Sequence, residues 1–134
     1  MKIVVIDGQG GSIGKEVVSR VRAELPSAEI IAIGTNAMAT ENMLKAKPTQ
    51  AATGENPVVV NVADADVIIG PIGIVVTDSM FGEITARMSF AVAKSKAKKF
   101  LIPINQCNNF VVGVSDLTIR YLLDSLSQEL RKLV

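Results

Sequence analysis

An acid and four glycines, Asp7, Gly8, Gly10, Gly11 and Gly14, follow directly on the apolar run 3–6, and a helical pattern starts among them. A strand that breaks into glycines and then a helix can seat a phosphate on the free N–H groups of the first helical turn. The spacing decides which phosphate motif this is. A Walker loop would need glycine at position 9 and a hydroxyl at position 16, where the chain has Gln9 and Glu16. Gly-x-Gly-x-x-Gly begins with Gly8 and Gly10 but fails at Ile13, whereas Gly-x-x-Gly-x-x-Gly is met in full by Gly8, Gly11 and Gly14. The loop Gly8, Gln9, Gly10, Gly11, Ser12, Ile13 and Gly14 is therefore the first candidate binding segment. A glycine turn that only lets a helix pack closely on a strand is the plainer alternative.

Other reactive side chains are few. The chain has no histidine, which removes Ser-His-Asp and Cys-His pairs together with histidine-ligated metals. Its single cysteine, Cys107, cannot build a zinc site but could act as a thiolate nucleophile beside a cation or a helix N-terminus. Asp78 and Glu83 could serve as general acid and base or hold Mg²⁺. The plainer reading makes Asp78 a polar residue on a helix and sets Glu83 at the amino end of the helix it opens. Lys94, Lys96, Lys98 and Lys99 could attract an anion, although their place at a helix carboxyl end suits dipole compensation. No metal site is expected.

Four breaks between elements bring these candidates together. Strands are expected at residues 2–6, 29–33, 51–53, 66–70 and 99–104, alternating with helices at 12–25, a short segment capped by Asn36 or Thr40 and ended by Pro48, 54–65, 83–96 and 116–133. Residues 74–80 fit a helix or a strand. Such alternation implies an α/β fold: a three-layer, Rossmann-like open sheet of about five mostly parallel strands with helices on both faces. The breaks at 8–14, 34–36, 70–73 and 105–109 then share the carboxyl edge, where such sheets bind ligands. This adds Thr35 and Asn36 near a ribose, and Gly70, Pro71 and Gly73 as a far wall.

Composition bounds the partners. With 134 residues the chain suits one domain, too short for separate cofactor and substrate domains. Fourteen basic and thirteen acidic residues leave a net charge of +1, no footprint for nucleic acid or an anionic membrane. Apolar residues make up 49% of the chain; counted with glycine and without tyrosine they reach about 56%, above the usual ~45–50%. A buried parallel sheet and an oligomeric surface both account for the excess, and a homodimer is expected to complete any enclosed site. One cysteine, and a first apolar run cut short by Asp7, suit a cytoplasmic protein.

The Gly8, Gly11, Gly14 spacing resembles the fingerprint of the extended short-chain dehydrogenases and their non-catalytic, NADP-sensing relatives, over about the first 36 residues. That resemblance implies NADP or NAD as ligand. Two departures speak against dehydrogenase chemistry. Gly34-Thr35-Asn36 carries no acid for an adenosine ribose, which tilts the choice toward NADP or a mononucleotide, and no Tyr-x3-Lys exists, because Tyr121 is followed four residues later by Ser125. The segments Gly34-Thr-Asn-Ala37, Ala52-Thr-Gly-Glu-Asn56, Ile69-Gly-Pro-Ile-Gly-Ile74, Gly82-Glu-Ile-Thr85 and Ile102-Pro-Ile-Asn105 are also similar to a family of small bacterial proteins known only as a domain of unknown function. The expected function is a nucleotide-binding or sensing module. A small reductase or transferase, and an interaction protein without ligand, stand as alternatives.

Overall fold

Strand β1 (Lys2–Asp7) is followed by helix α1 (Ser12–Glu24), β2 (Glu29–Gly34), α2 (Ala37–Leu44), β3 (Gln50–Thr53), α3 (Glu55–Val62), β4 (Val67–Pro71), a 3₁₀ turn (Ile72–Val75), α4 (Ala86–Lys94), β5 (Lys98–Ile102) and α5 (Ile119–Arg131). This is a computed structural model, and it describes residues 1–104, 108–115 and 118–134. The five strands form one sheet in the order β3-β2-β1-β4-β5, every pairing parallel. That is the strand order of a dinucleotide-binding sheet without its sixth strand, and it places the switch point between β1 and β4.

Each face of the sheet has its own core. Ile3, Val5, Ile30 and Ala32 meet Val17, Val18 and Val21 of α1, Met43 of α2, and Leu123, Leu126 and Leu130 of α5. Val4, Ile6, Ile31, Ile33 and Ile68 meet Val58 and Val62 of α3, and Met88 and Val92 of α4. Alternate residues of β1 and β2 thus serve opposite layers, as the two-residue period of a strand requires. Helices on both faces bury β4 throughout, which explains its unbroken apolar run.

The largest departure from expectation lies between β4 and α4. Residues 74–80 form neither a regular helix nor a strand: after the 3₁₀ turn, Asp78, Met80 and Phe81 adopt left-handed backbone angles of φ 66°, 56° and 57°. Such residues cannot continue a right-handed helix, so Asp78 sits in a turn and not on a helix. Helix α4 starts at Ala86, where the Thr85 hydroxyl accepts from the Met88 amide, and Glu83 lies outside it. Helix α5 starts at Ile119, capped by Thr118; its expected start at Asp116 falls outside the described residues. Gly70 and Pro71 belong to β4 itself, and Gly73 to the 3₁₀ turn.

Candidate functional site

The glycine loop packs against its own protein on one side and stands open on the other. Gly11 takes φ +74°, and a Cβ there would lie 2.6 Å from the backbone of Ala39, so only glycine lets α2 approach. A Cβ on Gly14 would meet Met43 Sδ at 2.5 Å and Asp7 Cβ at 2.7 Å, which fixes α1 against β1 and α2. Gly10 is different: nothing lies within 4 Å of the place its Cβ would occupy. A Cβ on Gly8 would again lie close, 2.5 Å from Thr35 Oγ1 and 2.7 Å from Met80 Sδ, so all three fingerprint glycines serve packing, while the exposed crest is Gln9 and Gly10.

Two carboxylates bracket this loop. Asp7, buried at the end of β1, accepts from Gly8 N at 2.8 Å and from Gly14 N at 2.7 Å. Burial pushes its carboxyl above the ordinary value; the bonds from Gly14 and Gly8 pull the other way, and the charge of Glu83 adds to the rise. Glu83 turns from the β4–α4 connection to the end of β2. Its Oε1 accepts from Gln9 N at 2.9 Å, from Thr35 Oγ1 at 2.5 Å and from Asn36 Nδ2 at 2.8 Å. Burial alone would raise this carboxyl, but those three bonds outweigh it and hold Glu83 below its usual range. The expectation that Glu83 faces the amino end of α4 is thus corrected, because Thr85 already caps that helix.

Between β1, β4 and β5 the loop opens into a cavity of about 70 Å³, lined by residues 7–13 together with Pro71, Met80 and Ile104. The amides at the start of α1 border it. Gly14 N is taken by Asp7, whereas Ser12 N and Ile13 N find no acceptor among the described residues. Amides of this kind at the positive end of a helix favour a nearby anion, and the Asp7 charge beside them opposes one while it persists.

The structure brings most of the expected residues to one edge. Gly8, Gln9, Gly10, Gly11, Ser12, Ile13 and Pro71 line the cavity, and Thr35 and Asn36 adjoin it through Glu83. Asn36 also caps α2 and donates to Gln9 O at 3.0 Å. Gly14 lies one turn along α1. Gly70 packs on Ile6 O and Gly73 on Ser79, so neither lines the cavity. Of the reactive candidates among the described residues, only Glu83 reaches the loop through a hydrogen bond. The Asp78 carboxylate is exposed, and Cys107 lies outside the described residues. Met80, Ile104 and the link between Glu83 and Thr35 escaped sequence reasoning, because no local pattern joins positions 48 residues apart. Asp7 was legible as the acid before the first glycine, but its role as an acceptor for α1 was not.

Among the described residues no group of histidine, cysteine or acidic side chains could hold a metal ion, and no helix is long and apolar enough to cross a membrane. The family model described as a domain of unknown function, DUF3842, matches residues 2–134. The chain belongs to this family. No curated protein matches this DUF3842 chain. Among solved structures it is similar to the dodecameric FMN-dependent UbiX-like decarboxylase of Escherichia coli O157:H7, at 17% identity and a TM-score of 0.51, over 97% of this chain and 76% of that one. At that identity the likeness concerns the fold, a Rossmann-like open α/β sheet.

Proposed function

We propose that this chain is a binding or sensing module for a phosphate-bearing nucleotide, seated at the carboxyl edge where β1 and β4 diverge. The observation that carries this reading is the pair of amides Ser12 N and Ile13 N, without an acceptor among the described residues, bordering a cavity at that switch point. Glycine packing explains Gly8, Gly11 and Gly14; the Ser12 and Ile13 amides, without an acceptor among the described residues, remain available to an anion. The FMN dependence of the similar decarboxylase supports a mononucleotide as readily as a dinucleotide such as NAD or NADP.

Binding is better supported than turnover. Glu83, the catalytic candidate at the loop, has its Oε1 occupied by three donors and is held ionised, which suits an acceptor and not a proton donor. The cavity of about 70 Å³ admits a phosphate, whereas enclosing a whole ligand takes about 300–1,000 Å³. A second copy of the chain, as a homodimer or within a larger assembly, would cover the remainder. Light scattering on the purified chain, with and without ligand, reads that assembly.

A thermal-shift series with NAD, NADP, FMN, ADP, ATP, GTP and S-adenosylmethionine tests the reading. A ligand at about 100 times its Kd should stabilise the fold by roughly 2.7 kcal/mol. No shift with any of them overturns the proposal.

A further inference from the structure

We infer that Glu83 accepts the hydroxyls of a ribose 2′,3′-diol, so that the ligand is a ribonucleotide whose 2′-position carries no phosphate. This rests on the nucleotide reading above and names the ligand class of the same site. An acid at the end of β2 is what a ribose diol needs in a sheet of this order. Thr35 and Asn36 stand there without charge, and the missing acid arrives from another crossover. Glu83 Oε1 is fixed at the end of β2 by Thr35 Oγ1, Asn36 Nδ2 and Gln9 N. Its other oxygen, Oε2, meets no donor among the described residues. One oxygen anchored and one open make a pre-oriented acceptor for hydroxyl groups.

The support beneath Glu83 is firm. Ile84 is fully buried in the α3–α4 core, its carbonyl accepts from Asp78 N at 2.7 Å, and the buried Ser79 hydroxyl donates to Gly73 O. Gln9 links Glu83 to the Ser12 and Ile13 amides: its own amide donates to Glu83 Oε1, and it lines the cavity that they border. A 2′-phosphate would find the opposite of what it needs. Neither the cavity lining nor the partners of Glu83 include a lysine or arginine among the described residues, and the carboxylate itself repels it. The missing acid that had tilted the sequence toward NADP is present in space.

Titration calorimetry on the full chain with ADP, 2′-deoxy-ADP, NAD and NADP tests this directly. ADP should bind about tenfold or more tightly than 2′-deoxy-ADP, and NAD than NADP, the factor expected for a hydroxyl bonded to a charged acceptor. Glu83→Gln keeps an oxygen for the three donors and turns the open acceptor into an amide donor. It should lower ADP affinity about tenfold and narrow the NAD-to-NADP ratio, with circular dichroism unchanged. Equal affinity of the wild-type chain for ADP and 2′-deoxy-ADP overturns the inference and leaves nucleotide binding standing; so does binding confined to FMN and insensitive to Glu83→Gln. Failure to bind any nucleotide overturns both. If the variant does not fold, the two wild-type ligand pairs still discriminate between these outcomes.

Discussion

The two flanks of the glycine loop are built on opposite terms. On the β2 side the donors are matched: Gln9 N, Thr35 Oγ1 and Asn36 Nδ2 converge on one carboxylate oxygen, and Asn36 also caps α2. On the β4 side Ser12 N and Ile13 N have no acceptor among the described residues, beside a cavity that Pro71 and Met80 also line. A satisfied flank presents an acceptor, through the open oxygen of Glu83; an unsatisfied flank presents donors. A ligand spanning both would present hydrogen-bond donors at one end and an anion at the other. The glycine spacing alone conveys none of this polarity, because Gly11 and Gly14 are occupied with helix packing.

The contrast is tested most severely by adding the same methyl group to a packing glycine and to the open one. Gly11→Ala would set a Cβ at 2.6 Å from the α2 backbone in a left-handed conformation. It should cost about 2–5 kcal/mol of stability, from strain and overpacking together. Gly10→Ala meets nothing within 4 Å and should change stability by no more than about 1 kcal/mol. Urea unfolding of both variants reads the difference. Equal losses would mean that the crest of the loop is as tightly built as its base, and the contrast between flanks would fail.

The fold was legible where local pattern and burial agree. The apolar runs of β1, β2 and β4 and the stripe Val17, Val18, Val21 marked the sheet and α1 to within one or two residues, because each forms half of a closed core. The segment 74–83 was not legible. Its shape depends on left-handed Asp78, Met80 and Phe81, held by Ser79 and Ile84, and left-handed non-glycine residues leave no signature in composition. The site divided the same way. A glycine turn after a strand is a local signal, so the loop could be located; the acid that bonds to it comes from the connection between β4 and α4, so the end of β2 read as neutral.

A smaller effect, on the order of 1 kcal/mol, separates the two carboxylates by pH. Asp7 has its folded pKa raised above 3.8, so the folded chain holds that proton more tightly than the unfolded one. Its contribution is fullest below 3.8 and is lost as pH rises through the folded value. Glu83 has its folded pKa lowered below 4.5, so its contribution is present above 4.5 and is lost as pH falls through the folded value. The stability advantage of wild type over Asp7→Asn should therefore shrink as pH rises above 3.8, and the advantage over Glu83→Gln should shrink as pH falls below 4.5. Urea midpoints between pH 3 and 7, taken at about half-unit steps, give both slopes. Slopes of the same sign would show that the two acids share one environment.

The weakest response should come from Asp78, a second carboxylate five residues before Glu83. Its backbone is well tied, with its amide donating to Ile84 O at 2.7 Å and its carbonyl accepting from Gly82 N at 3.1 Å. Its carboxylate is exposed and meets no donor among the described residues. Asparagine tolerates the left-handed φ of 66° as well as aspartate does. Asp78→Asn should leave stability within about 0.5 kcal/mol and nucleotide affinity unchanged, where Glu83→Gln alters affinity about tenfold. The pair removes one negative charge each from the same connection, so a long-range field would move both alike. Only contact distinguishes them. A loss of affinity in Asp78→Asn matching that in Glu83→Gln would assign the effect to the charge of the loop as a whole, and the acceptor flank would no longer be a single oxygen.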